Sequence, residues 1–463
     1  MPNKPTHFRP RARLMQLLGE QLIRDHRMAL FELVKNSYDA DAKEVKILFR
    51  NITSDTAEII VSDNGFGMDI NTVHGVWLEP ASDHKEKSRA RNERTPMGRL
   101  PVGEKGVGRF AVHRLGDKID MVTRAPNSKE VCVSIDWRKF LQHTYLDEAP
   151  VEVVERSPSL FTGSTTGTEI RITCLKHKWT RGDVRRLYRA VMAMTTPRLD
   201  KEEKAIKPSH EDVFDVDFKL DPTTSWLDDL FSSETARDQA MFFYEFTIDD
   251  NGFRSGYKFL PLEALKADYK KIIFEREEVK DAGYAFEYFK KRPPTDGEVW
   301  KNRTDRNTRP SLESMGIGPI KGLIWGFDLD KEIVARYVQD ASGLKGFMKE
   351  QGGIRVYRDG MRVYDYGEPG NDWLGLDHRR FQQPTKRLSN NLIMGHVHLD
   401  LSKSIALKEK TNREGFIENE AYRELQYAVL CAVSQFEVER NKDKDKIRAC
   451  FDISEKDILP RWI

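Results

Sequence analysis

The stretch "FELVKNSYDADA" occupies residues 31–42. If it is helical, Glu32, Asn36 and Asp39 stand at i, i+4 and i+7 and share one face. Leu33, Val34 and Ala40 then supply an apolar face. A strand-like "EVKILFR" follows directly at 44–50. Such a helix either shows its acids and amide to water or lines a pocket with them, and the neighbouring segments must decide which.

Two glycine-rich segments bear on that choice. "AEIIVSD" (57–63) reads as a second strand and runs into Asp63-Asn64-Gly65-Phe66-Gly67-Met68. A carboxylate at a strand end can accept an exocyclic amino group, and glycines leave room for a flat ring such as adenine. Asp-Asn-Gly also forms a plain Asx-turn readily, so the turn alone does not choose between these. Further on, Gly103-Glu104-Lys105-Gly106-Val107-Gly108-Arg109 opens a helix-like "RFAVHRL". Glycines before a helix let backbone N–H groups approach a phosphate, although glycine loops are commonly turns. No GxxxxGK[ST] loop occurs, and the long polar stretch 80–108 before the glycines is unlike a dinucleotide fingerprint. Asn36 could give its carbonyl oxygen to Mg²⁺, and Glu32, one turn away, could activate a water.

Composition sets the outer bounds. The chain has 463 residues, 39% hydrophobic and 32% charged, enough for two or three domains with a real core. A net charge of +2 gives no global polyanion-binding signature. No apolar run reaches the roughly 18 residues of a membrane span, and the first twenty or so residues lack a signal peptide's apolar region. Cys132, Cys174, Cys431 and Cys450 are too far apart for a CxxC pair and read as free thiols. A cytoplasmic protein without a membrane partner is the expectation.

The remaining elements follow from periodicity. Strands are expected at "KIDMVTRA", "VCVSIDW" and "TEIRITCL", and a helix over 181–194. The charged 198–212 is the expected linker between a domain at 1–197 and an α/β domain at 213–420, with a helical segment over 421–463. In the second domain "YEFTI", "GLIWGFDL", "GIRVYRD" and "GHVHLDL" read as strands, and Asp359-Gly360 predicts a hairpin with "MRVYDYG". Leu425, Ala428, Val429, Ala432, Val433 and Phe436 form one helical face, which either packs within its domain or seams a dimer.

Taken in order, ExxxNxxDA, DxGxGM, a lid loop ending in GxxGxGxF and a Gly-Thr before a strand resemble the GHKL ATPases with the Bergerat nucleotide fold, over roughly residues 14–195. The chain looks closest to the prokaryotic MORC-like and ninety-kilodalton heat-shock-chaperone-like branch. The resemblance implies an α/β (α+β) fold, a Bergerat sandwich followed by a transducer-like α/β domain and a C-terminal helix. It implies Glu32 as general base, Asn36 as the Mg²⁺ ligand, Asp63 on the adenine amino group, and Gly65, Gly67, Met68 and Thr168 around the ring, with Asp39 alongside. Gly103, Lys105, Gly106, Val107, Gly108, Arg109 and Phe110 would hold phosphates, and Lys85 would lie near the nucleotide. In "LKEKTNREGF" (407–416), Arg413 would be a cis-acting arginine finger, with Lys408 and Lys410 as rivals. The implied function is a slow Mg²⁺-dependent ATPase that dimerises on nucleotide binding, a switch or clamp in DNA transactions or anti-phage defence with DNA or defence proteins as partners. The alternative is a chaperone-like or adaptor protein whose ATP site regulates client or nucleic-acid binding. Candidate nucleic-acid contacts are Arg379, Arg380, Lys386 and Arg387 with Phe381, and Arg89, Arg91, Arg94 and Arg99 near the lid.

Overall fold

The computed structural model describes residues 9–14, 17, 26–79, 91, 93–99, 112–194, 214–270, 273–282, 312–410 and 415–451. Two compact units divide the chain, Met1–Leu230 and Phe231–Ile463.

The first unit is built on a mixed sheet whose strands are β1 (Glu44–Arg50), β2 (Glu58–Asp63), β3 (Gly116–Arg124), β4 (Glu130–Asp136), β5 (Glu152–Arg156), β6 (Gly167–Leu175) and β7 (Asp215–Asp221). Their order is β5-β4-β3-β6-β2-β1-β7. Every pairing is antiparallel except that of β1 with β7. On β1, Val45, Ile47 and Phe49 point into the core by strand alternation, and Phe49 meets Trp179 at 5.0 Å and Phe218 at 5.3 Å. Helix α1 (His26–Asp39) and helix α2 (Arg181–Met192) pack against one another. Thr180 and Asp183 cap the start of α2 reciprocally, and Val184, Leu187, Ala190 and Val191 make its buried face.

Helix α1 departs from the amphipathic helix expected of it. From Met28 to Tyr38 only Asn36 is exposed. The helix is covered on nearly all sides, so Glu32 and Lys35 are inside with Leu33 and Val34.

The boundary expected at 198–212 falls outside the described residues, and the chain beyond it does not begin a new unit. "DVDFKLD" returns to the first sheet as β7, burying Val216, Phe218 and Leu220 beside β1. The division comes later, between Leu230 and Phe231.

The second unit carries β8 (Phe242–Asp249), β9 (Gly252–Phe259), β10 (Arg276–Ala282), β11 (Ile320–Gly326), β12 (Gly353–Arg358), β13 (Met361–Val363) and β14 (Ile393–Leu399). The order is β10-β9-β8-β11-β14-β12-β13, with β12 and β14 parallel. The expected hairpin joins β12 to β13, and Asp359 and Gly360 both take positive φ, 48° and 80°. Helix α3 (Glu420–Phe451) is 32 residues long. It is no separate C-terminal segment: Leu425, Ala428, Val429, Ala432, Val433 and Phe436 belong to the core of this unit. That core packing, rather than a dimer seam, explains the spacing of the face. Arg276 and Lys280 of β10 pair with Asp443 and Glu439 of α3, fastening the outer strand to the helix.

Candidate active site

Three elements of the first unit converge on one carboxylate. Register sets Asp63, the last residue of β2, opposite Thr168 of β6. Asp63 Oδ1 accepts from Gly65 N at 2.9 Å and Thr168 N at 3.2 Å, and Oδ2 accepts from Ser37 Oγ of α1 at 2.9 Å. Burial raises the Asp63 pKa, and these three hydrogen bonds oppose the rise by favouring the charged form.

The turn after Asp63 is clasped from both sides. Asn64 Oδ1 accepts from Lys43 N and Glu44 N, and Phe66 N donates to Ala40 O at 2.8 Å. A Cβ at Gly65 would stand 2.5 Å from Ala40 O, and one at Gly67, whose φ is +63°, would stand 2.1 Å from Arg124 O. Both glycines are therefore required by close backbone approach, a reason distinct from the room for a ring that the sequence suggested. Met68 N donates to Thr123 Oγ1 at 2.8 Å, and Thr123 Oγ1 lies 2.9 Å from Thr168 Oγ1.

On α1, Glu32 is buried, Asn36 is exposed and Asp39 is half-buried. Ser37, the neighbour of Asn36, is the residue that ties the helix to Asp63. The end of α1 is held by the segment 93–99. Arg99 donates to Tyr38 O at 2.9 Å and Ala42 O at 2.7 Å and lies over the Tyr38 ring, while Asp41 accepts from Thr95 Oγ1 and Met97 N. A cation at the carbonyl end of a helix also complements its dipole.

Arg99 is thus buried and engaged by α1, which removes it from the nucleic-acid contacts expected near the lid. The second basic cluster is corrected in the same way. Arg379 and Arg387 both pair with the buried carboxylate of Glu437, at 3.0 Å and 2.6 Å, leaving Lys386 and Phe381 as its exposed members. Lys410 pairs with Glu418 at 3.2 Å, and Lys408 is exposed. Lys85, Arg89, Gly103, Lys105, Gly106, Val107, Gly108, Arg109, Phe110 and Arg413 lie outside the described residues. The sequence reading missed Ser37, Asp41 and Thr123, whose roles exist only through contacts with distant segments.

Residues 25–168, from the residue before α1 to Thr168 itself, match the family "Histidine kinase-, DNA gyrase B-, and HSP90-like ATPase". That likeness supports ATP binding and agrees with a GHKL-type sandwich followed by a further α/β unit and a long helix. The chain is also 40% identical over 81 residues to the "Putative type II restriction enzyme HgiDII" of Herpetosiphon aurantiacus. The shared segment is 18% of this chain and 12% of that protein. No helix among the described residues is long and apolar enough to cross a membrane.

Proposed function

We propose that the N-terminal unit binds and hydrolyses ATP with Mg²⁺, and that the cycle closes and reopens a dimeric clamp. The observation that carries this reading is the hydrogen bond from Ser37 to Asp63, which ties α1, the helix that bears Glu32 and Asn36, to a carboxylate fitted for an amino group. Asp63 receives the adenine amino group between Gly65, Gly67, Met68 and Thr168. Asn36 offers its side-chain oxygen to Mg²⁺, a cation that keeps waters and phosphate oxygens and needs few protein ligands. The exposure of Asn36 suits an ion that arrives with the triphosphate, and no His, Cys, Asp and Glu group among the described residues could hold a metal alone. Glu32 takes the proton of the attacking water. Bound ATP supplies the phosphoryl group, which Lys85 and the 103–110 glycine segment hold.

The MORC-like branch, the dimer and a role in DNA transactions or defence belong to this proposal. The restriction-enzyme likeness favours DNA as the partner. Glu32→Ala is expected to keep binding a non-hydrolysable ATP analogue and to lose Mg²⁺-dependent turnover. Hydrolysis at the parent rate would remove Glu32 as the base. The mass in solution should double with the analogue, and duplex DNA should change the turnover rate; an unchanged mass would sink the clamp.

A further inference from the structure

One face of the second sheet buries more positive charge than its described neighbours balance. Register places Arg355 of β12 opposite His396 of β14 and Tyr357 opposite His398, while Arg362 of β13 stands opposite Tyr357. Alternation puts these side chains on one face, away from Ile354, Val356, Val363 and Val397, which join the apolar core with α3. Arg355, Arg362 and His396 are only 3%, 4% and 2% exposed. Trp325 and Tyr357 stand edge-on to the His396 ring, each with centroids 5.4 Å away.

The donors exceed the acceptors. Arg355 Nη2 donates to Gln351 Oε1 at 2.6 Å and Gln351 O at 3.2 Å, both neutral groups. Arg362 Nη2 reaches Glu368 at 2.7 Å and Tyr366 O at 3.1 Å. Arg355 Nε, Arg362 Nε and Nη1, and His396 Nδ1 remain buried without a hydrogen-bond partner among the described residues. Burial first, and the charge of Arg362 second, push Arg355 down to about 10. Burial and the cations around it hold His396 neutral. Two other buried cations of the unit meet carboxylates directly: Arg358 meets Glu409 at 2.6 Å, and Lys444 meets Asp330 at 3.3 Å and Asp328 at 3.5 Å. An unmatched buried guanidinium is costly, and its planar fork of N–H groups fits an oxoanion.

We propose that this face of β12, β13 and β14 is a binding site for a single phosphate group, held by the free edges of Arg355 and Arg362 with His396 as a further polar contact. It is separate from the ATP site of the first unit and does not depend on that reading. The enclosure of all three residues suits one small oxoanion, free or as the end of a nucleotide, rather than a duplex backbone.

The test uses the full chain carrying Asp63→Asn, which removes the proposed ATP contact. Inorganic phosphate and AMP are titrated by calorimetry, and thermal unfolding is followed in phosphate against chloride at equal ionic strength. Saturable binding of one phosphate and a higher melting temperature in phosphate are expected. Tighter binding of AMP would name a nucleotide as the source, and equal binding would name the free ion. Arg355→Met should lower phosphate affinity at least tenfold and abolish the thermal gain. In phosphate-free buffer it should melt no lower than the parent, because it removes an unmatched cation. Absence of binding and of thermal gain in the parent, or a gain that survives Arg355→Met, would overturn the proposal. So would Arg355→Met unfolding in phosphate-free buffer, which would show that Arg355 is already matched.

Discussion

Asp63 takes three donors onto a carboxylate that burial pushes toward its neutral form. An ionised carboxylate offers about four acceptor directions. Ser37 Oγ, Gly65 N and Thr168 N take three, which leaves one for a ligand N–H. Asp63→Asn would turn an amide NH₂ toward one of these donors. It should weaken binding of a non-hydrolysable ATP analogue at least tenfold, in line with the roughly 1.5–3 kcal/mol of a hydrogen bond to a charged group. Calorimetric titration checks this, and unchanged affinity would detach Asp63 from the adenine reading. The turn from Asp63 to Met68 is legible in the sequence as one unit because its residues lie in a single short segment, although the close backbone approach that demands Gly65 and Gly67 is not. Ser37 and Thr123 are not legible, since their meaning is a contact across 26 and 55 residues. A serine in a helix or a threonine in a strand gives no sign of such a partner. Arg99 was misread for a related reason: a basic residue in a polar stretch looks solvated until the carbonyls it caps are known.

At the level of elements, legibility followed the apolar pattern of each strand. β1, β2, β3, β4 and β6 of the first sheet carry the apolar residues that mark a strand. β5, "EVVER", β7, "DVDFKLD", and β10, "REEVKDA", are masked as strands by their charges, and all three are outermost strands of their sheets; the inner β9, "GFRSGYKF", is hidden by its glycines as well as its charges. An outer strand with charged residues is protected against adding a foreign strand, and the same charges erase its apolar pattern. β5 is followed by a loop tied down by Glu130. That buried carboxylate accepts from Arg156 Nε at 2.9 Å, Ser159 Oγ at 3.1 Å, Leu160 N at 2.6 Å and Phe161 N at 2.7 Å. Burial alone would raise its pKa, but the hydrogen bonds, led by that from Phe161 N, hold it down to about 2 from 4.5. A depressed carboxylate pKa stabilises the fold above the unfolded value and ceases to do so as pH falls through the folded one. Glu130→Gln should therefore cost roughly 2–3 kcal/mol at neutral pH. The gap from the parent should narrow between pH 4.5 and about 2. Urea unfolding at pH 7 and pH 3.5 measures both, and a gap that stays constant would contradict the assignment.

For the whole molecule, the decisive feature is that each unit closes its own core around its own sheet. Calorimetry should accordingly resolve two unfolding transitions. ATP analogue with Mg²⁺ at about 100 times its dissociation constant should stabilise one of them by about 2.7 kcal/mol and move the other little. Equal shifts of both would mean that the two units unfold as one. Two α/β regions are legible in the sequence, but the charged 198–212 only mimics a domain end, and the division lies at Leu230–Phe231. Only the pairing of β7 with β1 shows that the chain goes back. That return matters to anyone who trims the protein to the family's span of 25–168. β7 runs beside β1 from Glu44 opposite Asp215 to Arg50 opposite Asp221. It offers the outside an edge bearing Asp215, Asp217, Lys219 and Asp221. Cut away, it would bare the peptide groups of β1 beside Val45, Ile47 and Phe49, an open strand ready to be completed by a second molecule. The late strand, beyond the matched residues, is what keeps the sheet from becoming sticky.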